Sequence, residues 1–487
     1  MNMKTVNTHS SVKKTTAMIA IIQLFSTISL AILYSTLVLY STQKLKLSVP
    51  AATAVMGTFG AFNYGLHILG GYFGGRFLSW RLLFVVGMAL STTGCILLSV
   101  PTLTYLHLGV AFFLAGAGLN VTCINMMVTQ LFEPDDKRRE NVFFWNYALM
   151  NVGFFVGYSL AGYFQLKQEF QHLFLLASLG SVFAAIITLF NWKKLKDRNT
   201  ILSGNISRNE SIQRLLGGLF LISLMVPGLY WLIQYALFSN KMVIMIGIFM
   251  MGILLTLAIR QKNSIARSRM FAYIVFAFAS LIFWTLYQLA PMGLTVFVQY
   301  NVNRHYLDFL IAPQWILNIN TFVIAVGGPL LAYFLQKLHN RGIKFSLALK
   351  FSLALAFIGC GFVILPIGIK FAAHDGLVGF NWIFFSYILQ SLGELFIGPI
   401  GYAMIGQLAP QKLQGVMMGT WMMCIGVGAT LSNYASVYAI HHTSSNNPLI
   451  TNPGYSHMFN LLGSGSIIAG FILFISIPVL KKLTQEV

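Results

Sequence analysis

Long apolar stretches alternate with short polar segments along almost the whole chain. A helix that crosses the hydrocarbon core of a bilayer needs about 20 mainly apolar residues, because its backbone polar groups have to be satisfied within the segment. Fourteen stretches meet this requirement, so the pattern predicts fourteen transmembrane helices. The predicted spans cover residues 16–41, 51–73, 82–101, 105–130, 143–165, 172–192, 215–238, 241–260, 270–299, 308–336, 346–370, 381–408, 413–439 and 457–480.

Lysine and arginine are distributed unequally between alternate loops. Cytoplasmic loops of membrane proteins carry an excess of these residues. With a cytoplasmic N-terminus, 25 of the 31 Lys and Arg residues fall on the cytoplasmic side and six on the other side. The six outer residues are Lys44, Lys46, Lys167, Lys241, Arg304 and Lys370. This asymmetry predicts an even number of spans with both termini in the cytoplasm.

The composition excludes several classes of protein. Hydrophobic residues make up 57% of the chain and charged residues 9%, whereas an ordinary soluble chain is about a quarter charged. A soluble globular enzyme is therefore excluded. The net charge of +20 lies in the loops, so it indicates membrane topology and not a partner nucleic acid. The four cysteines are scattered singly, and neither a Walker loop, GxSxG nor HExxH occurs, so we predict no cofactor and no metal.

A coarse internal repeat divides the predicted spans into sets. The glycine-rich segment 70–76 ends the second span, and a similar pattern at 327–329, followed by Arg341, ends the second span of a later six-helix set. Polar residues 193–214 precede two extra helices. The chain is therefore predicted to be an all-α integral membrane protein with the 6+2+6 helices of a major facilitator fold, its halves related by an axis along the membrane normal. The expected domains are residues 1–192, 193–268 and 269–487.

Glu394 is the acidic residue that the hydropathy pattern places in the middle of a span. A charged side chain there costs about 2.5 to 3.5 kcal/mol on insertion scales, so it persists where a cavity, a partner or protonation relieves the cost. We therefore assign Glu394 to a substrate site. The alternative is a protonated carboxyl group that is hydrogen-bonded to a neighbouring helix and binds no ligand.

Uncharged polar and aromatic side chains complete the predicted site, although an intramembrane Asn or Gln is more often a contact between helices than a ligand contact. His67, three residues after Tyr64, joins Glu394 as a candidate for proton coupling, because imidazole titrates near neutral pH. The other substrate-binding candidates are Asn320, Asn151, Tyr147, Tyr64, Gln288, Gln23, Trp284 and Trp421. Gating is assigned to Gly70, Gly71 and Arg76, and the small residues here and at 115–118 also suit close helix packing.

Several loosely specific motifs follow one another along the chain. They lie at residues 37–40, 68–72, 131–139, 151–153, 283–288, 393–399 and 418–421. Residues 393–399 (GELFIGP) resemble the GELxxSP pattern of the proton-dependent oligopeptide transporter family, a branch of the major facilitator superfamily. The chain is similar to this family over almost its whole length. The resemblance implies a proton-linked peptide transporter in which Glu394 and Asn320 hold the peptide amine.

The chain departs from the family pattern at three places. The first-helix signature ExxERFxYY falls on residues 23–31, where both carboxylates, the guanidinium and both phenols are missing. The family's fourth-helix Lys falls on Val121, and the seventh-helix Glu of many members falls on Gln288. In the family, the first-helix Arg and the fourth-helix Lys are associated with the peptide carboxylate and with coupling. The amine end therefore matches and the carboxylate end does not.

The absence of the family's first-helix Arg and fourth-helix Lys limits which substrates are expected to bind. A carboxylate that enters a low-dielectric cavity without a cation is strongly disfavoured, so we expect zwitterionic dipeptides to bind poorly. The substrate is then either an amine whose second end is neutral or a larger ligand whose backbone is held by Asn151, Tyr147 and Gln288. Coupling rests on Glu394, which gives exchange instead of simple symport, or on His67.

The resulting prediction is a monomeric secondary transporter of the inner (plasma) membrane. It moves small peptides or peptide-like amine compounds by alternating access, with protons and the lipid bilayer as partners and no nucleic acid. The alternatives are an exporter or exchanger of a non-peptide amine and a transport-dead, receptor-like relative. A membrane enzyme is disfavoured, because no second buried titratable group accompanies Glu394 within its own segment.

Overall fold

The protein is almost entirely helical. The structure is a computed structural model that describes residues 3–485 except 133–135, 137, 199, 205, 307, 343–344, 411–412 and 441–444. The helices are α1 Met3–Leu39, α2 Val49–Gly65, α3 His67–Phe73, α4 Trp80–Leu98, α5 Leu103–Thr129, α6 Arg138–Leu166, α7 Phe170–Phe190, α8 Arg208–Gln234, α9 Ala236–Ile259, α10 Ser264–Tyr287, α11 Thr295–Asn301, α12 Pro313–Asn340, α13 Leu347–Lys370, α14 Phe380–Leu408, α15 Gln414–Ala439, α16 Pro448–Ile475 and α17 Ile477–Thr484.

All fourteen predicted spans fall on helices. Within the described residues, eleven helical stretches are each long and apolar enough to cross a membrane. The other three predicted spans are the pair α2 and α3, which a break at Leu66 separates, and the 29-residue helices α6 and α14. The all-α architecture predicted from hydropathy is therefore confirmed.

Irregular backbone interrupts the helices in ways that hydropathy does not predict. Two π-helical turns, Tyr40–Lys44 and Ala290–Leu294, follow α1 and α10, and Met292 in the second has non-helical angles of φ −116° and ψ −112°. Three two-residue strands follow α11 and a fourth precedes α14. Strand β1 Val302–Asn303 pairs parallel with β4 Val378–Gly379, and β2 His305–Tyr306 pairs antiparallel with β3 Phe309–Leu310. Strands this short leave no periodic hydropathy signal.

Packing divides the chain into two compact units. The N-terminal unit consists of Met1–Tyr40 and Phe62–Tyr235, and the C-terminal unit of Ser41–Ala61 and Ala236–Val487. The first part of α2 and the whole of α9 therefore pack with the C-terminal unit, while α8 packs with the N-terminal unit. The three domains expected from the internal repeat stay a prediction.

Glycines bring α4 and α5 of the N-terminal unit into close contact. A Cβ atom added at Gly116 would lie 2.2 Å from the carbonyl oxygen of Gly87, and one added at Gly94 would lie 2.6 Å from that of Gly109. A Cβ atom added at Gly118 would lie 2.3 Å from Cβ of Leu66. The close helix packing predicted for residues 115–118 is confirmed, and it permits the backbone approach that stabilises helix pairs in lipid.

Hydroxyl groups join helices in both units. In the N-terminal unit, Ser29 Oγ of α1 donates to Ala177 O of α7 at 2.6 Å. In the C-terminal unit, Tyr273 Oη donates to Met417 O at 2.6 Å and Asn240 Nδ2 of α9 donates to Ala54 O of α2 at 3.1 Å. Such bonds satisfy polar groups where water is absent, and each contributes about 0.6 to 2 kcal/mol.

A loop after α7 covers the N-terminus of α4. Both carboxylate oxygens of Asp197 accept from Trp80 N at 3.1 Å, as expected for an anion at a helix N-terminus. The Arg81 guanidinium stacks on the Trp192 ring, 4.4 Å from its centroid. Burial raises the pKa of Asp197 above its usual range, against the smaller lowering effects of Trp80 N–H and Arg81.

We expect Asp197→Asn to remove part of the pH dependence of stability. Because the pKa of Asp197 is raised in the folded state, the folded protein binds this proton more tightly than the unfolded chain. The resulting stabilisation is complete below the pKa of the unfolded chain, about 3.9. That contribution is lost as the pH rises through the folded pKa. Melting temperatures in detergent between about pH 4 and pH 8 should therefore fall more for the wild type than for this variant.

Glu210→Gln is the control for this experiment, because the exposed Glu210 pairs with Arg214 at 2.8 Å within α8. Its melting curve should follow the wild type at each pH. A difference between wild type and Asp197→Asn that stays constant with pH would contradict the assignment.

A pair of glycine substitutions tests the contact between α4 and α5. Gly116→Ala places a methyl group against Gly87 O and Ser91 Oγ, within 2.4 Å of both, and we expect it to lower the free energy of unfolding by about 1 to 3 kcal/mol. Gly217→Ala on α8 meets nothing within 4 Å, so it should be neutral or stabilising by about 1 kcal/mol. Thermal unfolding in detergent measures both, and equal melting temperatures would contradict the close contact.

Candidate binding site in the C-terminal unit

Glu394 lies at the centre of a hydrogen-bonded cluster. Asn320 Nδ2 of α12 donates to Glu394 Oε2 at 2.7 Å and contacts Ser391 Oγ at 3.0 Å. The Tyr287 side chain at the end of α10 is also hydrogen-bonded to Glu394. Ser391 Oγ in turn donates to Tyr387 O at 2.6 Å. Three helices that are distant in sequence therefore converge on one carboxyl group.

The local sequence explains this convergence. Ser391 and Glu394 are three residues apart, so they share one face of α14. Gly393 lets α14 approach its neighbours, because a Cβ atom there would lie 2.9 Å from Ala354 O and 3.1 Å from a ring carbon of Phe283. Gly327 does the same for α12, since its added Cβ atom would lie 2.8 Å from Leu395 Cδ1. Glycine thus permits the short distances at Glu394.

The partners of Glu394 carry no charge. Within the described residues, the ion pairs are those of Glu169 with His172 and of Glu210 with Arg214, and neither includes Glu394. A carboxylate offers about four lone-pair positions, and the hydrogen bonds from Asn320 and Tyr287 use part of this capacity. An ionised carboxylate in this position is therefore suited to a cationic ligand, which supplies the missing charge.

Aromatic rings surround the cluster on the side of α10. The rings of Trp284 and Tyr287 lie 5.3 Å apart at 84°, and the rings of Phe283 and Tyr287 lie 6.0 Å apart and stacked. Trp284 is 8% exposed, and its Nε1 has no hydrogen-bond partner among the described residues. The structure therefore places Trp284 beside Tyr287, and its assignment to substrate binding stays a prediction.

Two other predicted residues of this unit lie in tightly packed surroundings. Trp421 is 1% exposed, contacts the Phe351 ring edge-on and fills the space beside Gly401, where an added Cβ atom would lie 2.0 Å from the indole. Gln288 is fully buried at the C-terminus of α10. Their roles in substrate binding also stay predictions.

The N-terminal unit contains a second group of predicted residues. Gln23 Nε2 contacts Thr27 Oγ1 at 3.0 Å on α1, and Thr27 Oγ1 donates to Gln23 O at 2.7 Å. Gln23 lines a cavity of about 30 Å³ together with Asn63, Asn120 and Val121. The position where the family carries its fourth-helix Lys therefore lies in the wall of this cavity.

The remaining candidates of this unit lie outside the lining of the cavity. The ring of Tyr64 lies 6.2 Å from the imidazole of His67, with the helix break at Leu66 between them. Thr122 Oγ1 donates to His67 O at 3.0 Å. Asn151 Nδ2 donates to Tyr147 O on its own helix at 2.9 Å. These four residues keep their assignments as predictions.

The gating candidates lie around α3. A Cβ atom at Gly70 would lie 2.9 Å from Gly118 O, while Gly71 meets only Thr122 Cγ2, at 3.6 Å. The Arg76 guanidinium lies 4.8 Å from the centroid of the Tyr72 ring. Gly70 therefore contributes to helix packing, and a role of the three residues in gating stays a prediction.

Two members of the cluster were missed in the sequence. Tyr287 stands in the segment 283–288 that carries the family resemblance, three residues after Trp284, but the aromatic residues of this segment are interpreted from the sequence as packing apart from Trp284. Ser391 is recognisable by its spacing from Glu394. Neither hydrogen bond follows from the sequence, because each depends on which helices become neighbours. Within the described residues, no three His, Cys, Asp or Glu side chains lie together as metal ligands would.

Comparison with known proteins agrees with this architecture. The PTR2 model of the POT family matches residues 78–451. The dipeptide and tripeptide permease A of Cronobacter turicensis is 26% identical over 452 residues, covering 92% of this chain and 89% of the relative. The dipeptide and tripeptide permease B of Photorhabdus luminescens is 28% identical over 460 residues, covering 92% of each.

Solved structures have the same fold. A mutant of a peptide transporter POT in complex with alafosfalin has a TM-score of 0.84 at 23% identity, covering 96% of this chain and 95% of that one. A POT family transporter in complex with a thioalcohol conjugated peptide has a TM-score of 0.81 at 21% identity, covering 96% of each. The predicted major facilitator fold is confirmed, and the protein is a multi-pass protein of the inner membrane. The chain belongs to the POT family, the proton-dependent oligopeptide transporters.

Proposed function

We propose that this protein is a secondary active transporter that moves small peptides or peptide-like amine compounds across the inner membrane by alternating access. The observation that carries the proposal is the Glu394 carboxyl group, which is held by neutral donors from Asn320 and Tyr287. Peptides as the substrate class are supported by the similarity to dipeptide and tripeptide permeases and to a POT family transporter in complex with a thioalcohol conjugated peptide. Proton linkage, and both termini in the cytoplasm, form part of the same proposal.

The cluster is suited to a primary ammonium group. Such a group has three N–H donors, and Glu394 supplies a charged acceptor for it. Asn320 uses Nδ2 for its bonds to Glu394 and Ser391, and the Oδ1 of the same amide is a hydrogen-bond acceptor in chemical type. The Trp284 and Tyr287 rings beside the cluster add faces that attract cations. A peptide amine and a simple amine both meet these requirements.

Coupling to protons follows from the same carboxyl group. A bound ammonium favours the ionised form of Glu394, so a proton carried on the carboxyl group leaves when the amine binds. Substrate and proton then occupy one site in turn, which produces exchange. Simple symport needs a second titratable group, and His67 on α3 is the candidate for it.

A non-peptide amine is the second candidate substrate, carried by an exporter or exchanger. The observation that favours it is the cavity of the N-terminal unit, whose lining contains Val121 and Gln23 and no charged residue. A peptide carboxylate has no cation there. A transport-dead, receptor-like relative is the remaining alternative, and measured transport decides against it.

Glu394→Gln tests the proposed amine site. The amide keeps the shape of the side chain and removes the negative charge, so we expect binding and uptake of amine substrates to fall by about 10- to 100-fold, the equivalent of one hydrogen bond to a charged group. Thermal shift in detergent measures binding, and proteoliposomes measure uptake. Glu169→Gln at the exposed end of α7 is the matched control. Full transport by Glu394→Gln would refute the proposal.

His67→Ala tests the second proton site. If His67 carries a coupling proton, the variant should keep substrate binding and lose at most the pH dependence of uptake between about pH 5 and pH 8, where imidazole titrates. Uptake driven by an imposed pH gradient measures this. Thr122→Val is the control, because it removes the hydrogen bond to His67 O and leaves the imidazole. An unchanged pH profile in His67→Ala would exclude His67 from coupling.

A further inference from the structure

Helix α17 lies at one end of the C-terminal unit, next to the start of α13. Ser466 Oγ of α16 donates to Leu355 O of α13 at 2.9 Å, and Ser352 Oγ donates to Gly470 O at 2.8 Å, so these two helices run antiparallel. The start of α13 and the end of α16 therefore lie at the same end of the unit. The chain breaks at Ser476, and α17 continues from there and packs against α10 and α13.

The start of α10 lies at this end as well. The Phe276 ring of α10 lies 4.8 Å from the Phe351 ring of α13. Further along the same two helices, Phe283 and Ala354 both adjoin Gly393, so α10 and α13 run in the same direction and begin at the same end. The first turns of α10 and α13, together with α17, carry five basic residues, which we call the basic patch: Arg267, Arg269, Lys350, Lys481 and Lys482.

No described acidic residue neutralises the basic patch. The described acidic residues of this unit are Asp308, Asp375 and Glu394. Asp375 follows the far end of α13, and the pairing of β1 with β4 places the loop of Asp308 at that same far end. Glu394 lies within α14. The described ion pairs both belong to the N-terminal unit, so the five cations have no acidic partner within the described residues.

Arg269 shows this lack of a partner at a single atom. Its Nε is buried and has no hydrogen-bond acceptor among the described residues, while the side chain as a whole is partly exposed. A guanidinium presents its N–H donors in a planar fork that matches the oxygens of a phosphate group. Membrane topology requires basic residues at one end of the unit, but it does not require a buried N–H group without an acceptor.

Exposed apolar side chains adjoin the basic patch. Ile475 at the end of α16 and Val479 on α17 are exposed and shortly precede Lys481 and Lys482. Ile265 on α10 is exposed in the same way before Arg267 and Arg269. A free phosphate ion would use the cations alone, whereas a phospholipid has an anionic headgroup for the cations and acyl chains for the apolar side chains.

We propose that the basic patch is a binding site for the headgroup of an anionic phospholipid. Arg269 and Lys481 contact the phosphate oxygens, and the acyl chains lie along Ile475 and Val479. Because α17 and α10 both contribute cations, a bound headgroup holds α17 against α10 and stabilises the folded unit. The site is independent of the proposed function, since it uses no residue of the Glu394 cluster.

Three probes test the proposal on the full-length protein in detergent. They are dioleoyl phosphatidylglycerol, dioleoyl phosphatidylcholine, which has the same chains and no net charge, and free glycerol 3-phosphate. We expect phosphatidylglycerol to raise the melting temperature in a saturable way, and the other two probes to have little effect. The response should weaken in about 0.5 M NaCl, because salt screens exposed charges.

Paired substitutions locate the effect at the basic patch. Removing two cations by Arg269→Gln with Lys481→Gln should raise the half-saturating concentration of phosphatidylglycerol about 10- to 30-fold. Arg269→Lys with Lys481→Arg keeps both charges and should retain most of the response. Lys370→Gln, at the opposite end of α13, is the matched control and should bind the lipid as the wild type does.

Melting without lipid establishes that each variant is folded. Since Arg269 is partly buried, Lys481→Gln with Lys482→Gln on α17 provides a second variant that leaves α10 intact, and it should show the same weakening.

Each outcome decides for or against the site. Equal stabilisation by phosphatidylcholine, or a response to phosphatidylglycerol that survives in the glutamine variants, overturns it. Equal stabilisation by glycerol 3-phosphate would indicate a site for soluble phosphates and also contradicts a lipid site. A response that is lost in the glutamine variants and kept in Lys370→Gln supports it. Glu394→Gln should keep the full lipid response, so a failure of the amine site is distinguishable from a failure of this one.

Discussion

A carboxyl group within a membrane helix is the constraint on which the organisation of the C-terminal unit depends. The cost of placing the Glu394 carboxyl group in a medium that solvates charge poorly has to be offset by other groups. The protein provides the Asn320 amide and the Tyr287 side chain, both neutral, and no ion pair among the described residues includes this carboxylate. Full compensation by Lys or Arg would leave little reason for a cationic ligand to bind. Partial compensation by neutral groups keeps the carboxyl group in place without a cationic partner among the described residues.

The helix contacts around this group follow from the same shortage of water. Gly327 permits α12 and α14 to approach closely enough for a 2.7 Å hydrogen bond, and Gly393 permits α14 to approach α10 and α13. Serine and tyrosine hydroxyls elsewhere donate to backbone oxygens of neighbouring helices, as Tyr273 does to Met417. In lipid the apolar side chains gain little from burial against each other, so close packing and internal hydrogen bonds have to hold the helices together.

The two units differ in the charged and polar side chains that they contain within the membrane-spanning helices. The C-terminal unit contains the Glu394 carboxyl group and the Asn320 amide that is hydrogen-bonded to it, while the cavity of the N-terminal unit is lined mainly by carbon and by no charged residue. Val121 and Thr27 occupy positions where the family resemblance expects a lysine and an arginine. Membership of the POT family therefore specifies the fold, while residues 27 and 121 set this chain apart from the family pattern.

Hydropathy and charge by themselves determined the fourteen helical spans, because the transfer of each segment into lipid depends on its own residues. They also singled out Glu394, since a mid-span carboxylate is rare for a physical reason. The tertiary structure decided what these features do. The partnership of Glu394 with Asn320, which is 74 residues away in sequence, and with Tyr287 depends on which helices pack together. The packing of the helices also determines the cavity beside Val121, the break at Leu66 and the assignment of residues 41–61 to the C-terminal unit. Contacts between segments distant in the chain have no local pattern, and for this reason the sequence named the charged group while only the packing of the helices placed its neighbours.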